Sequence, residues 1–404
     1  MILIKELKDD IFNTLEQFQD EKLSLDQATE YTTMLLIELY TKKKDNGKDD
    51  TYESDKYVFK HFVKQLIAEL FPSKYGYYYN NFTINDNSHV VDEIKTLPQP
   101  EQRTPEWYAK RKLSIGASEG ATVFNDNPYA SKKKLILTKL GWPGAKFTGS
   151  IHTRHGVIFE PIVQHLYSLR HKTELWEFGS ILHKDPELYM ISASPDGITP
   201  KGIAVEIKVP LKRPITGIPP KYYWYQMQQQ MQVLRKLDLV HFVECDIKIF
   251  VNSDDYKDDF KENINLPVRK NGLAKGVIII VIDKRTNEED YIYPEKFLNL
   301  DEIDEWRLKT KKECDKKDHI FYSETIYWKL EKYSETNIWR DEEWWEKNKG
   351  EYVKFWKGPT GEKLKCLEYY KKNGYQDILP RTGVRKIKHP KVVKCLIDSD
   401  SDSD

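Results

Sequence analysis

The sequence predicts an α+β protein, with a mixed sheet and its helices in the middle of the chain and helical lobes at both ends. Three observations predict it. Apolar positions in the first 95 residues recur at helical spacing. The stretches Ile203–Val209, Val240–Val251, Gly276–Asp283 and Asp290–Tyr293 are short, apolar and rich in β-branched residues, as strands are. From Leu298 the pattern reads as helical again, with six tryptophans between Trp306 and Trp356.

Length and composition set the bounds. A chain of 404 residues exceeds one average domain and has ample length to bury a core. Hydrophobic content of 39% and charged content of 32% belong to a globular protein rather than a disordered one. No stretch reaches the roughly 18 apolar residues of a membrane span, and the N-terminus lacks the architecture of a secretory signal. Cys245, Cys314, Cys366 and Cys395 are scattered without paired spacing, which argues for a reducing intracellular compartment and against a zinc or iron–sulfur site. Lys plus Arg equals Asp plus Glu at 64 each, so no global basic field announces a nucleic-acid partner.

In order, residues 1–97 form a helical N-terminal domain. Leu7, Ile11, Leu15 and Phe18 mark a first helix, and Ser24-Leu-Asp-Gln27 is a capping box opening a second through Met34, Leu35 and Leu39. Lys42–Lys56 is a polar loop. Val58, Phe62, Leu66 and Leu70 mark a third helix, ended by Pro72. The aromatics of Tyr75–Phe82 suit packing onto the next domain better than base stacking.

Residues 98–296 carry the chemistry. Thr104-Pro-Glu-Trp107 opens a capped helix with proline in its first turn, and it delivers Arg111 just before the small residues Ser114–Ser118. An arginine, hydroxyls and a helix N-terminus can cradle a phosphate; an exposed arginine beside a turn is the plainer alternative. His155-Gly-Val-Ile-Phe-Glu160-Pro opens an amphipathic helix, where Glu160 could serve only the helix dipole. Gly179–Tyr189 has hairpin character. Pro195-Asp196-Gly197 is a turn, and the strand after it carries Glu206 and Lys208 on one face, because strand side chains alternate. Two charges in the middle of an apolar strand cost several kcal/mol unless paired or bound to metal. Asp196 and Glu206 oxygens suit Mg²⁺, and Lys208 can orient or deprotonate a water. Lys221–Leu234 reads as a helix with Met227, Met231 and Leu234 on one face and Gln226 and Gln230 on another, the glutamines facing either solvent or a phosphate backbone.

Residues 297–380 read as a Trp-rich helical C-terminal lobe, whose interleaved acids favour packing over strand stacking. Residues 381–404 combine a basic segment (Arg381, Arg385, Lys386, Lys388, Lys391 and Lys394) with an acidic Ser/Asp tail expected to be disordered and suited to acidophilic kinases.

Taken together, five ordered motifs resemble the phage lambda-type exonuclease, or YqaJ-like viral recombinase, family of the PD-(D/E)XK nuclease superfamily. They are Trp107-x₃-Arg111-x₅-Ala117-Ser118, His155-Gly-x₃-Glu160-Pro161, Ser194-Pro-Asp196-Gly, Glu206-Ile-Lys208-x-Pro210 and Tyr223-x₂-Gln226-Met-Gln. The resemblance covers about residues 100–250. It implies a restriction-endonuclease-like core and a Mg²⁺-dependent DNA exonuclease, with Mn²⁺ as an alternative ion and two ions per site. Asp196, Glu206 and the Ile207 carbonyl would hold metal, Glu160 would act through a water, and Lys208 would position the attacking water. Arg111, Ser118, Ser194 and Gln226 match the pocket for the 5′-terminal phosphate, which gives 5′→3′ polarity on duplex ends. Asp185 lies one residue out of register with a further family acid. A single-strand annealing partner, a homotrimer, and a home in the cytoplasm, nucleus or viral replication site belong to the same expectation. The alternatives are a DNA-binding recombination module without hydrolytic activity and an endonuclease of the same superfamily.

Overall fold

The computed structural model describes residues 4–16, 23–42, 56–71, 85–140, 149–260 and 268–357. The expected loop at 42–56, the aromatic stretch at 75–82, the basic segment and the acidic tail lie wholly or almost wholly outside them.

Helices α1 (Ile4–Glu16), α2 (Leu25–Lys42), α3 (Lys56–Leu70) and α4 (Ser88–Lys95) open the chain. The Ser24–Gln27 box forms as expected: the Ser24 N–H donates to Gln27 Oε1 at 2.9 Å and the Gln27 N–H to Ser24 Oγ at 3.2 Å. These helices are not a separate globule. Leu7, Ile11, Phe62 and Leu66 share one apolar core with Met227, Met231, Val240 and Phe242 of the central region. The Gln65 side chain also donates to the Asn337 carbonyl, and the Ile4 N–H to that of Thr216.

Helices α5 (Pro105–Lys112), α6 (Gly120–Val123), α7 (Lys132–Lys139) and α8 (Ile151–His171) follow, with strand β1 (Ile115–Gly116) after α5. Thr104 caps α5 by accepting from the Trp107 N–H at 3.3 Å, with Pro105 in the first turn. Strands β2 (Ile181–Leu182) and β3 (Ile191–Ala193) join β1 in a three-stranded sheet ordered β1-β3-β2.

The main sheet has six strands: β4 (Gly197–Ile198), β5 (Ala204–Lys208), β6 (Leu239–Ile249), β7 (Lys275–Asp283), β8 (Glu288–Ile292) and β9 (Ile320–Trp339), ordered β4-β5-β6-β9-β7-β8. β5 and β6 are parallel, and α9 (Lys221–Val233) crosses between them as that pairing requires. Alternation then sorts the side chains. Val205 and Ile207 of β5, Val209 just after it, and Val243, Cys245 and Ile247 of β6 pack against α8 through Ile158, Phe159, Ile162 and Val163. Ala204, Val240 and Phe242 pack on the opposite face with Trp224, Met227 and Met231 of α9. Glu206, Lys208 and Glu244 therefore share the α9 face. A mixed sheet flanked by helices is the class the sequence predicts.

One expectation fails. Residues 297–380 were expected to be helical throughout, and α11 (Leu300–Asp315) and α12 (Glu342–Trp356) are, following the short α10 (Ser253–Asp258). Between them, however, β9 runs for 20 residues through the middle of the sheet, antiparallel to both β6 and β7. Ile326, Trp328 and Leu330 face α8, while Tyr327 faces the core beneath α11. That is period-two alternation in a stretch rich in β-branched and aromatic residues, so strand physics wins over tryptophan density. The central sheet thus draws on residues beyond 296.

Candidate active site

The β4–β5 hairpin is the edge of the sheet, and the turn before it places Asp196 beside the middle of β5. The Ile207 N–H donates to Asp196 Oδ2 at 2.7 Å, and Gln164 of α8 donates to the Asp196 carbonyl at 2.8 Å. The turn is thereby fixed to both the strand and the helix. Glu206 is fully buried. Both its oxygens are engaged: Lys208 Nζ and Gln226 Nε2 (2.6 Å) donate to Oε1, and Gln230 Nε2 (2.5 Å) donates to Oε2. Glu160 comes from α8 and pairs with Arg103 at 3.2 Å. Gln102 holds that segment in place by donating to the Phe178 and Pro195 carbonyls.

Electrostatics ties these groups into one cluster. Burial pushes the Asp196 carboxyl well above the usual carboxylate range, and the Glu206 and Glu160 charges push it further. Burial likewise raises Glu160, against the pull of Arg103 and Lys208. For Lys208, burial opposes the charged form, but the Glu206 and Asp196 carboxylates outweigh it and the ammonium is held more firmly than an ordinary lysine's. Such a lysine acts as a hydrogen-bond donor and a positive charge, not as a resting proton acceptor.

The phosphate-pocket candidates come together beside this cluster. Arg111 Nη2 donates to Ser118 Oγ at 3.2 Å, and the guanidinium lies 4.5 Å from the Trp107 ring centre. Trp107 Nε1 donates to Ser194 Oγ at 3.2 Å, so one tryptophan links Arg111, Ser118 and Ser194. Gln226 stands apart from these three, with its amide nitrogen on Glu206. Asp185 is an exposed cap that accepts the Glu187 N–H at 2.8 Å.

The structure overturns the solvent-face reading of the glutamine row. Gln226, Gln228, Gln229, Gln230 and Gln232 are all buried. Beyond the two on Glu206, Gln228 donates to the Trp339 carbonyl, and Gln229 donates to those of Ile115 and Ser192. Gln228, Gln229 and Gln230 thus supply donors to acceptors inside the protein.

Sequence reasoning missed three residues here and left a fourth, Gln230, between solvent and a phosphate backbone. Arg103 and Gln230 belong to the carboxylate cluster. Arg213 binds Glu244, which lies beside Lys208 in the parallel register of β5 and β6. Burial raises the Glu244 carboxyl while Arg213 holds it down. The i, i+4 spacing of Gln226 and Gln230 was the one signal in the sequence; the other three are set by pairing register or by a loop.

His155, in the first turns of α8, is buried against Phe159, with ring centres 4.8 Å apart. Burial lowers it to about 4. Its contribution to stability is therefore present above the unfolded-state value of about 6.5 and is lost as pH falls from there to about 4. The variant His155→Leu is expected to gain stability relative to the wild type across that window, by on the order of 3 kcal/mol at its foot. Urea unfolding of both proteins from pH 7 to 4 measures this, and a pH-independent difference would refute it.

Residues 106–236 match the family model of the YqaJ-like viral recombinase domain. The resemblance read from the five motifs thus holds over the stretch that contains Arg111, Glu160, Asp196, Glu206, Lys208 and Gln226. An uncharacterized protein of Acanthamoeba polyphaga mimivirus is 30% identical over 274 residues, covering 60% of this chain and 49% of that protein. A protein of African swine fever virus is 25% identical over 232 residues, covering 50% of this chain and 65% of its own. The chain thus spans about half to two thirds of the length of these relatives. Among solved structures, the alkaline exonuclease LHK-Exo from Laribacter hongkongensis is similar at 19% identity and a TM-score of 0.38, covering 68% of this chain and all of that one.

Proposed function

We propose that this chain, through its YqaJ-like domain, is a divalent-metal-dependent deoxyribonuclease that digests duplex ends in the 5′→3′ direction, in viral-type DNA recombination or repair. One observation carries the reading. Three carboxylates, fully buried Glu206 and half-buried Asp196 and Glu160, interact with one another around Lys208, with Arg103 on Glu160; burial raises Asp196 and Glu160, and the neighbouring carboxylate charges add to it. Such a site is poorly balanced alone and suits divalent cations. The donor set is all oxygen, which favours Mg²⁺ or Mn²⁺.

Asp196, Glu206 and the Ile207 carbonyl would hold two Mg²⁺ ions, with Glu160 reaching them through water. When bound, such ions polarise the scissile phosphate and make water a nucleophile at neutral pH. The chain's own residues do the rest. Gln226 and Gln230 fix the orientation of Glu206 from α9. The Lys208 ammonium donates to the attacking water and offsets charge developing on the phosphate. Arg111, Ser118 and Ser194 would bind the 5′-phosphate and set the polarity. The annealing partner and a trimeric assembly belong to the same proposal, as does action at a viral replication site. Among the described residues, no helix is long and apolar enough to cross a membrane.

A linear duplex labelled at the 5′ or the 3′ terminus, with a closed circle alongside, tests the activity. The 5′ label should be released first and the circle spared; nicking of the circle would favour an endonuclease, and binding without digestion a recombination module. For the pocket, Arg111→Ala should lower kcat/KM by about 100-fold on 5′-phosphorylated ends and only a few-fold on 5′-hydroxyl ends. Equal loss on both substrates would remove the pocket assignment.

A further inference from the structure

A second group of ligand-type side chains converges on the other face of the sheet. We infer that His171, His241 and Glu335 form a separate transition-metal site of the Zn²⁺ class, which fastens the C-terminal end of α8 to strands β6 and β9.

Three elements deliver the ligands. His171 is the last residue of α8. His241 lies on β6 and Glu335 on β9, in adjacent antiparallel strands where His241 faces Asn337 and Val243 faces Glu335. His241 and Glu335 are thus diagonal neighbours on the α8 face, opposite to Glu206 and Lys208. One ligand atom from each of the three residues lies within 4.8 Å of the other two. His171 Nε2 is 2.8 Å from Glu335 Oε2, and His241 Nδ1 is 3.5 Å from Glu335 Oε1. Ligands at zinc bond lengths on a tetrahedron sit about 3.3 Å apart, so small side-chain rotations would close the site.

The surroundings fit a metal better than a simple ion pair. One imidazole is enough to pair with a carboxylate, yet two aim nitrogens at Glu335, and His241 is buried while doing so. The Tyr333 hydroxyl donates to Glu335 Oε2 at 2.8 Å, the kind of outer partner that orients a ligating carboxylate. The Tyr167 hydroxyl lies 2.9 Å from His241 Nδ1, the same nitrogen that faces Glu335. Two imidazoles and one carboxylate form a zinc-type donor set, whereas Mg²⁺ selects oxygen alone. His171 is exposed, which leaves a route for entry. The clamp would sit on the helix that also carries Glu160, so it bears on the candidate active site without belonging to it.

Co²⁺ absorption of the full-length protein in excess Mg²⁺ is the test. A tetrahedral nitrogen-containing site gives an intense visible band, while six-coordinate oxygen sites give only a faint one. The band should appear, be displaced by Zn²⁺, persist in Asp196→Asn and vanish in His171→Gln. The same Zn²⁺ should raise the thermal midpoint by about 5 °C in the wild type and leave His171→Gln unchanged. Absence of the band at saturating Co²⁺, or an undiminished band in folded His171→Gln, would overturn the site.

Discussion

Lys208→Ala is expected to slow DNA hydrolysis by about 1,000-fold while changing DNA affinity only a few-fold. The side chain donates to Glu206 and neighbours Asp196, whereas the nearby Arg103 is paired with Glu160 and Arg213 is engaged by Glu244. Removing the ammonium leaves Glu206 with Gln226 and Gln230 as donors, so the fold should survive. The loss should therefore fall on kcat. Single-turnover cleavage together with a gel-shift titration separates the two quantities, and wild-type cleavage by the variant would remove the proposed mechanism.

Asp196→Asn should move stability and activity in opposite directions. The carboxyl is half-buried near Glu206 and Glu160, and burial followed by their charges suppresses its acidity. A carboxyl group raised in the folded state favours folding at low pH and costs stability as pH rises through its folded value. Asparagine removes that cost while its Oδ1 can still accept the Ile207 N–H. Without divalent cations the variant should be more stable than the wild type by about 1–2 kcal/mol at neutral pH. Adding Mg²⁺ should stabilise the wild type and leave the variant unmoved, and cleavage by the variant should fall by about 1,000-fold. A variant less stable than the wild type in EDTA would show that the cluster is a structural ion network instead.

Much of this site was legible because strand and turn chemistry act locally. Pro195-Asp196-Gly197 followed by an apolar strand bearing Glu206 and Lys208 fixes where those groups point, whatever the rest of the chain does. The spacing of Met227, Met231 and Leu234 likewise placed α9 against the sheet. The glutamines of α9 were ambiguous because a polar row on a helix normally faces solvent. Only the position of Glu206 beneath Gln226 and Gln230, a tertiary fact, turns that row inward. Strand β9 was misread for a different reason: Trp328, Trp339, Trp344 and Trp345 fall close together in sequence, yet they divide between a strand and the helix after it. Arg103, Arg213, Glu244 and the His171–His241–Glu335 group come together through loops and strand register, which no short window of sequence contains.

The most direct test of the central claim is release of acid-soluble nucleotide from a linear, 5′-phosphorylated duplex by the wild type in Mg²⁺ and in EDTA, with Asp196→Asn alongside. The account predicts digestion in Mg²⁺, none in EDTA and none above background for the variant. Digestion that continues in EDTA, or that survives loss of the Asp196 carboxylate, would contradict a metal site built on Asp196 and Glu206.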